Sequence, residues 1–173
     1  GLQGAYEHKF QDESTLLAGA SWYQYGNLKG EPAILGDNEF FGNSSVDVAG
    51  DPNVYKHDYH LLEFFGEYGF KANNVPVSLF GSYVKNTASN VSADTGWLVG
   101  TKVLKAKKPG DWAFSYSYRE LEADAVNGTF TDSDFIGGGT NGKGHEFGAK
   151  YKIAKNVDLG LTYFLNEKGD NDD

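Results

Sequence analysis

Short and long gaps alternate strictly between eight strand-like runs in this chain, and few folds tolerate that rhythm. The runs cover residues 2–10, 15–25, 61–70, 77–85, 95–104, 112–121, 144–153 and 157–166. The gaps at 11–14, 71–76, 105–111 and 154–156 are tight, whereas those at 26–60, 86–94 and 122–143 are long. An all-β, antiparallel up-and-down transmembrane β-barrel produces this order, with turns on one side of a bilayer and loops on the other. A soluble barrel has no reason to keep every second connection long. The sequence predicts about eight strands within one barrel domain, or barrel segment, over residues 1–173.

Strand side chains point alternately to the two sides of a sheet, so each run divides into two faces. Run 112–121 sets Trp112, Phe114, Tyr116 and Tyr118 against Ala113, Ser115, Ser117 and Arg119. Run 144–153 sets Phe147, Ala149, Tyr151 and Ile153 against Glu146, Gly148, Lys150 and Lys152. Run 15–25 sorts least cleanly, because Leu17 and Tyr23 fall on its small-residue face. Sorting every run this way gathers Glu7, Lys9, Glu63, Glu67, Lys102, Arg119, Glu146, Lys150, Lys152 and Asp158 on the polar side. These are the candidate pore-lining residues.

Alternation alone also fits a soluble β-sandwich or lipocalin with its aromatic face inside. Two further features favour the membrane. The charged face is rich in Gly, Ser, Ala and Thr, which suits a crowded lumen. Aromatic side chains also gather near run ends, where amphipathic rings settle at membrane interfaces. Trp22, Phe70, Tyr83, Trp97, Trp112, Tyr118, Tyr151 and Tyr163 are the candidate lipid-facing or interfacial aromatics.

Bulk properties bound the function. The formal net charge of −9 argues against nucleic acid as a partner. With no cysteine, neither a disulfide framework nor a thiolate metal site is available. A mean hydropathy of −0.50 is compatible with membrane strands, which show only alternate residues to lipid. The chain starts without Met or a signal-like leader, which reads as a mature form or an excised piece. Charge is also sorted by connection. Lys71, Lys105, Lys107, Lys108 and Lys155 lie in tight turns, whereas Asp37, Asp47, Asp51, Asp58, Asp124, Asp132, Asp134 and Asp170–Asp173 lie in long loops or the tail. The acidic loops suggest divalent-mediated contact with anionic lipopolysaccharide.

Motifs that resemble chemistry resolve into simpler readings. Residues 137–142 satisfy G-x-G-x-x-G, but a polar loop precedes them and a β-period run follows, opposite to a dinucleotide fingerprint. They read as a flexible loop. His57 and His60 lie three apart with no second ligand cluster, and read as solvated loop histidines. Glu63 and Glu67 lie about 13 Å apart along a strand, beyond the carboxylate spacing typical of glycosidases. No catalytic arrangement, metal or cofactor is expected.

The stretch Lys105-Ala-Lys-Lys-Pro-Gly-Asp-Trp112, with Phe114-Ser-Tyr-Ser-Tyr-Arg119, Phe130-Thr-Asp-Ser-Asp-Phe135 and Gly137-Gly-Gly-Thr-Asn-Gly142, resembles the bacterial "putative porin" family of Gram-negative outer-membrane proteins. Leu79-Phe-Gly-Ser-Tyr-Val-Lys-Asn86 looks like its mid-barrel strand. The resemblance covers most of residues 61–166 and is most specific between 105 and 148. It implies a Gram-negative outer-membrane barrel that admits small solutes or ions. Family members would be expected to be longer and to close on a terminal aromatic residue. Topology points the same way: the first run starts, and the eighth ends, on the long-loop side. At least one further strand is therefore expected at each end, supplied by other parts of the same protein or by other subunits. Two other functions fit the same residues. One is a non-conducting barrel serving as scaffold, adhesin or sheath; the other is a soluble ligand-binding barrel with its tryptophans inside.

Overall fold

The computed structural model describes residues 1–36, 38–50 and 53–169. Ten strands follow in chain order: β1 (Leu2–Lys9), β2 (Thr15–Gln24), β3 (Ser45–Val46), β4 (Val54–Tyr55), β5 (His60–Ala72), β6 (Val75–Asn86), β7 (Thr95–Val103), β8 (Trp112–Leu121), β9 (Gly142–Ala154) and β10 (Val157–Lys168). A single 3₁₀ turn covers Gly128–Phe130. The eight long strands form one sheet in the order β1-β2-β5-β6-β7-β8-β9-β10, antiparallel at every step. It is an uninterrupted meander, with β1 and β10 as outer edges that do not pair with each other among the described residues. The sheet is open.

β8 coincides with its predicted run, and the other long strands differ from theirs by one or two residues at an end. β5 and β6 run further than expected because Asn73 and Asn74 both hold positive φ. That is the conformation of a two-residue hairpin turn whose twist matches its strands, and asparagine tolerates it. The β1–β2 turn uses Glu13 at φ 65°, with Asp12 Oδ1 accepting from Ser14 N at 3.0 Å and Ser14 Oγ at 2.7 Å. At the β9–β10 turn the register shifts between Val157 and Asp158. β3 and β4, a small hairpin inside the long 26–60 connection, have no counterpart among the predicted runs.

The packed core is displaced from the sheet centre to its long-loop end. Ala33, Phe40, Tyr55, Tyr59 and Leu61 are buried together, with Tyr23, Leu28, Val84 and Val126 against them. Phe40 and Tyr59 both meet Tyr55 edge to face, at ring distances of 4.8 and 6.0 Å. Through Tyr23, Leu61 and Val84, this cluster sits on the same sheet face as the charged residues. The other face is uncovered. The exposed large apolar side chains of the eight long strands, among them Leu16, Phe64, Leu79, Val99, Phe147 and Leu161, all share it. An apolar face of this extent is foreign to the surface of a soluble monomer.

Candidate functional site

Register places all ten candidate pore-lining charges on one face. Glu7 lies opposite Leu17 and Lys9 opposite Thr15 across β1–β2. Glu63 sits between Ser21 and Val84, and Glu67 between Leu17 and Phe80. Lys102 is flanked by Ser78 and Ser115, and Arg119 by Leu98 and Gly144. Glu146, Lys150, Lys152 and Asp158 continue the face across β9 and β10. Ion pairs link several of them. Lys102 Nζ meets Glu67 Oε2 at 3.3 Å, and Lys152 Nζ meets Asp158 Oδ1 at 2.8 Å. Arg119 Nη2 lies 3.5 Å from Asp132 Oδ2 and 3.8 Å from Glu146 Oε2.

The charges are sorted along the strands as well as across them. Lys9, Lys102, Lys150 and Lys152 lie in the half next to the tight turns, together with the carboxylates of Glu7, Glu67 and Asp158. Glu63, Arg119 and Glu146 lie toward the long loops. Close packing needs glycine at several places on this face, Gly19 and Gly100 among them. A Cβ at Gly19 would strike the Phe65 ring, and one at Gly100 would strike the Phe80 ring and the Tyr116 carbonyl. Phe80 in turn lies under Lys102 Nζ, 4.7 Å from the ring centroid.

The eight candidate interfacial aromatics fall on the opposite face. Trp97 packs on Tyr118 at 5.2 Å, and Trp112 on Tyr151 at 4.7 Å. Trp97 pairs with Glu120, eight residues along β8 from Trp112. The two clusters are thus separated by roughly 27 Å along the strand, or about 20 Å in height for a strand tilted by ~45°, close to the ~25 Å apolar band of outer-membrane barrels. His145, on this face, hydrogen-bonds Tyr116 Oη through Nδ1 at 2.9 Å.

Three connections converge over the charged face at the long-loop end, and Asp124 joins them. Its carboxylate, almost fully buried, accepts from Tyr59 Oη at 2.8 Å and Ser44 N at 3.0 Å, while its Oδ2 lies 3.8 Å from His57 Nε2. Its carbonyl accepts from Asn86 Nδ2 at 2.9 Å, which ties in the β6–β7 connection. Asn43 donates to the Ala123 and Val126 carbonyls at 2.7 and 2.8 Å, and accepts from Gly128 N at 2.7 Å. The loop after β8 also reaches the sheet wall directly, with the Phe135 ring 4.4 Å from the Arg119 guanidinium carbon.

Burial pushes the His57 imidazole below its ordinary pKa; Asp124 and Asp58 oppose that shift, while Lys56 and Lys29 add to it. Tyr59 is driven far above the usual phenol range, first by burial and then by Asp124, so it stays a donor. A base with a depressed folded pKa contributes stability that is full above its unfolded value of ~6.5 and is lost as pH falls toward the folded one. Acidification should therefore loosen the cap. Amide exchange at Ser44 and Thr140, corrected for intrinsic rates, should rise between pH 7.5 and pH 5. Protection unchanged over that range would refute a neutral His57 in the docked loops.

Sequence reasoning misses this hub. Asp124, Asn43, Asn86 and Tyr59 are single polar or aromatic residues scattered over three connections, and only the density of Phe and Tyr in 40–59 hints that the loop is packed. Two expectations are corrected. His57 is buried rather than solvated, with its Nε2 turned to the buried Asp124 carboxylate. The glycine-rich 137–142 run is a docked segment rather than a slack return: Thr140 N donates to Phe41 O at 2.8 Å, and Thr140 Oγ1 to Ala123 O at 2.7 Å. Gly139 holds φ 93° where a side chain would strike Phe41. No group of three or more metal-ligating side chains occurs among the described residues. Asp37, Asp51 and Asp170–Asp173 lie outside them.

The strands that carry these two faces match a known family. The family described as "Putative porin" matches residues 54–168, from β4 to the end of β10. The chain belongs to this "putative porin" family. The match spans six of the eight long strands and the Tyr55–Tyr59 and Asp124 parts of the cap, and leaves out β1, β2 and the part of the long loop that holds Phe40, Asn43 and Ser44. No curated protein and no solved structure matches the chain.

Proposed function

We propose that this protein forms part of an outer-membrane porin of a Gram-negative bacterium: a passive, water-filled path for small hydrophilic solutes or ions. The observation that carries the reading is the division of one continuous sheet into an exposed face that is apolar along the middle of its strands and an ion-paired face. In a closed barrel these would meet lipid and water respectively. Closure requires β1 and β10 to find partners, supplied by further strands of the same protein or by other subunits. Glu7, Lys9, Glu63, Glu67, Lys102, Arg119, Glu146, Lys150, Lys152 and Asp158 would then line the lumen and set its field. The capping loops would narrow the mouth, and their acidic residues would meet lipopolysaccharide through divalent cations.

The lining positions comprise equal numbers of acids and bases, so selectivity should be weak. The acidic loops add a cation preference that fades with salt. Planar-bilayer recordings on the full-length protein should show discrete conductance steps, mildly cation-selective at low salt. Silent bilayers, or strong anion preference at low salt, would count against this function. A non-conducting scaffold or sheath would give the first of those results.

A further inference from the structure

The tight-turn half of the charged face contains a recess of about 420 Å³, within the range of small-molecule sites. Its floor is made of small residues because two cross-strand rows coincide there. Ala113, Lys150 and Gly160 form one row, and Ser115, Gly148 and Thr162 the next. Gly160 has open space where a Cβ would stand. Lys102, Lys105 and Lys150 border the recess, Ser115 and Thr162 offer hydroxyls, and no acidic side chain lines it.

The nearby carboxylates leave these lysines incompletely neutralised. Asp158 is held by Lys152 at 2.8 Å, so its 3.9 Å contact with Lys150 is the weaker of the two. Glu67 serves Lys102 at 3.3 Å from outside the recess. Lys105 makes no ion pair among the described residues. A concave site with surplus positive charge and hydroxyl donors favours oxyanions over cations or neutral sugars.

We infer that this recess is a binding site for small solutes bearing phosphate or carboxylate groups, held by Lys105 and Lys150 over the Ser115–Thr162 floor. Its place on a transport path rests on the pore reading above; the binding itself does not. A soluble anion is favoured over a lipid headgroup, because the recess is on the face turned away from the exposed aromatic side chains.

The test uses the full-length protein in neutral detergent, with inorganic phosphate followed by phosphorus NMR line width. Saturable broadening that declines with salt is expected. In a K105Q/K150Q double variant the apparent affinity should fall at least tenfold, as expected on losing charge-assisted hydrogen bonds. A K107Q/K108Q control removes the same charge from the same turn, outside the recess, and should bind like the parent. Displacement of phosphate by succinate would extend the site to carboxylates, and failure to displace would restrict it to phosphate. No saturable broadening, or equal losses in both double variants, would overturn the proposal. Conductance measured on the same preparation separates the two readings: binding by a silent protein sinks the pore and keeps the site, whereas conductance without binding does the reverse.

Discussion

Replacing Asp124 with alanine should undock the loops from the charged face, at a cost of about 3 kcal/mol. The carboxylate satisfies Tyr59 Oη and Ser44 N, and both donors lie in a closed polar cluster. A buried donor left without a partner costs about 1–3 kcal/mol, so the loss of two exceeds the usual effect of a point mutation. The sheet ladder itself touches Asp124 only through its backbone, where Asn86 Nδ2 bonds its carbonyl, and should persist. Two readouts separate loop from sheet. Proteolysis within residues 38–50 should accelerate on the order of a hundredfold, as ~3 kcal/mol of lost docking implies if cleavage follows the open population. The β-sheet circular dichroism should be unchanged. Asp134, an exposed acid of the same connection, provides the control: its alanine variant should behave like the parent. Equal protection in the two variants would show that the loops are held by the apolar Tyr55–Tyr59 cluster alone.

The strands were legible in the sequence because period-two alternation, glycine and asparagine turns, and aromatic ends all pointed to one answer. β8 is the clearest case, with Pro109-Gly110 before it and strict alternation from Trp112 to Arg119. The ten charged positions could be gathered on one face for the same reason. A strand needs no tertiary knowledge to declare its two sides. The connections gave far less, since nothing periodic marks a loop that folds back. Asn43 meets Gly128 and Thr140 across more than eighty residues of chain, a contact set by loop shape rather than by any local spacing. His57 illustrates the cost: its neighbours in sequence, Lys56 and Asp58, suggest water, whereas in space it faces the buried carboxylate of Asp124. The open edge of the sheet was legible only as topology, from the side on which the first and last runs end.

The second large effect concerns the three tryptophans, Trp22, Trp97 and Trp112, which supply all the indole fluorescence of the chain. Each is on the face that carries the exposed apolar side chains, and each is at least a third exposed, at 48%, 38% and 47%. Trp22 and Trp97 lie toward the long-loop end and Trp112 opens β8 at the turn end, so they occupy two levels. In a barrel whose aromatic face meets lipid, all three sit at or near the two membrane interfaces. In a soluble barrel built around an aromatic interior, none would meet lipid. Fluorescence of the full-length protein reconstituted into vesicles of brominated phosphatidylcholine decides between them. The account predicts that most of the emission is quenched relative to unbrominated vesicles, most strongly with bromines near the headgroup. Emission unchanged by brominated lipid would contradict it, because the apolar face of the sheet would then not be the one that faces the membrane.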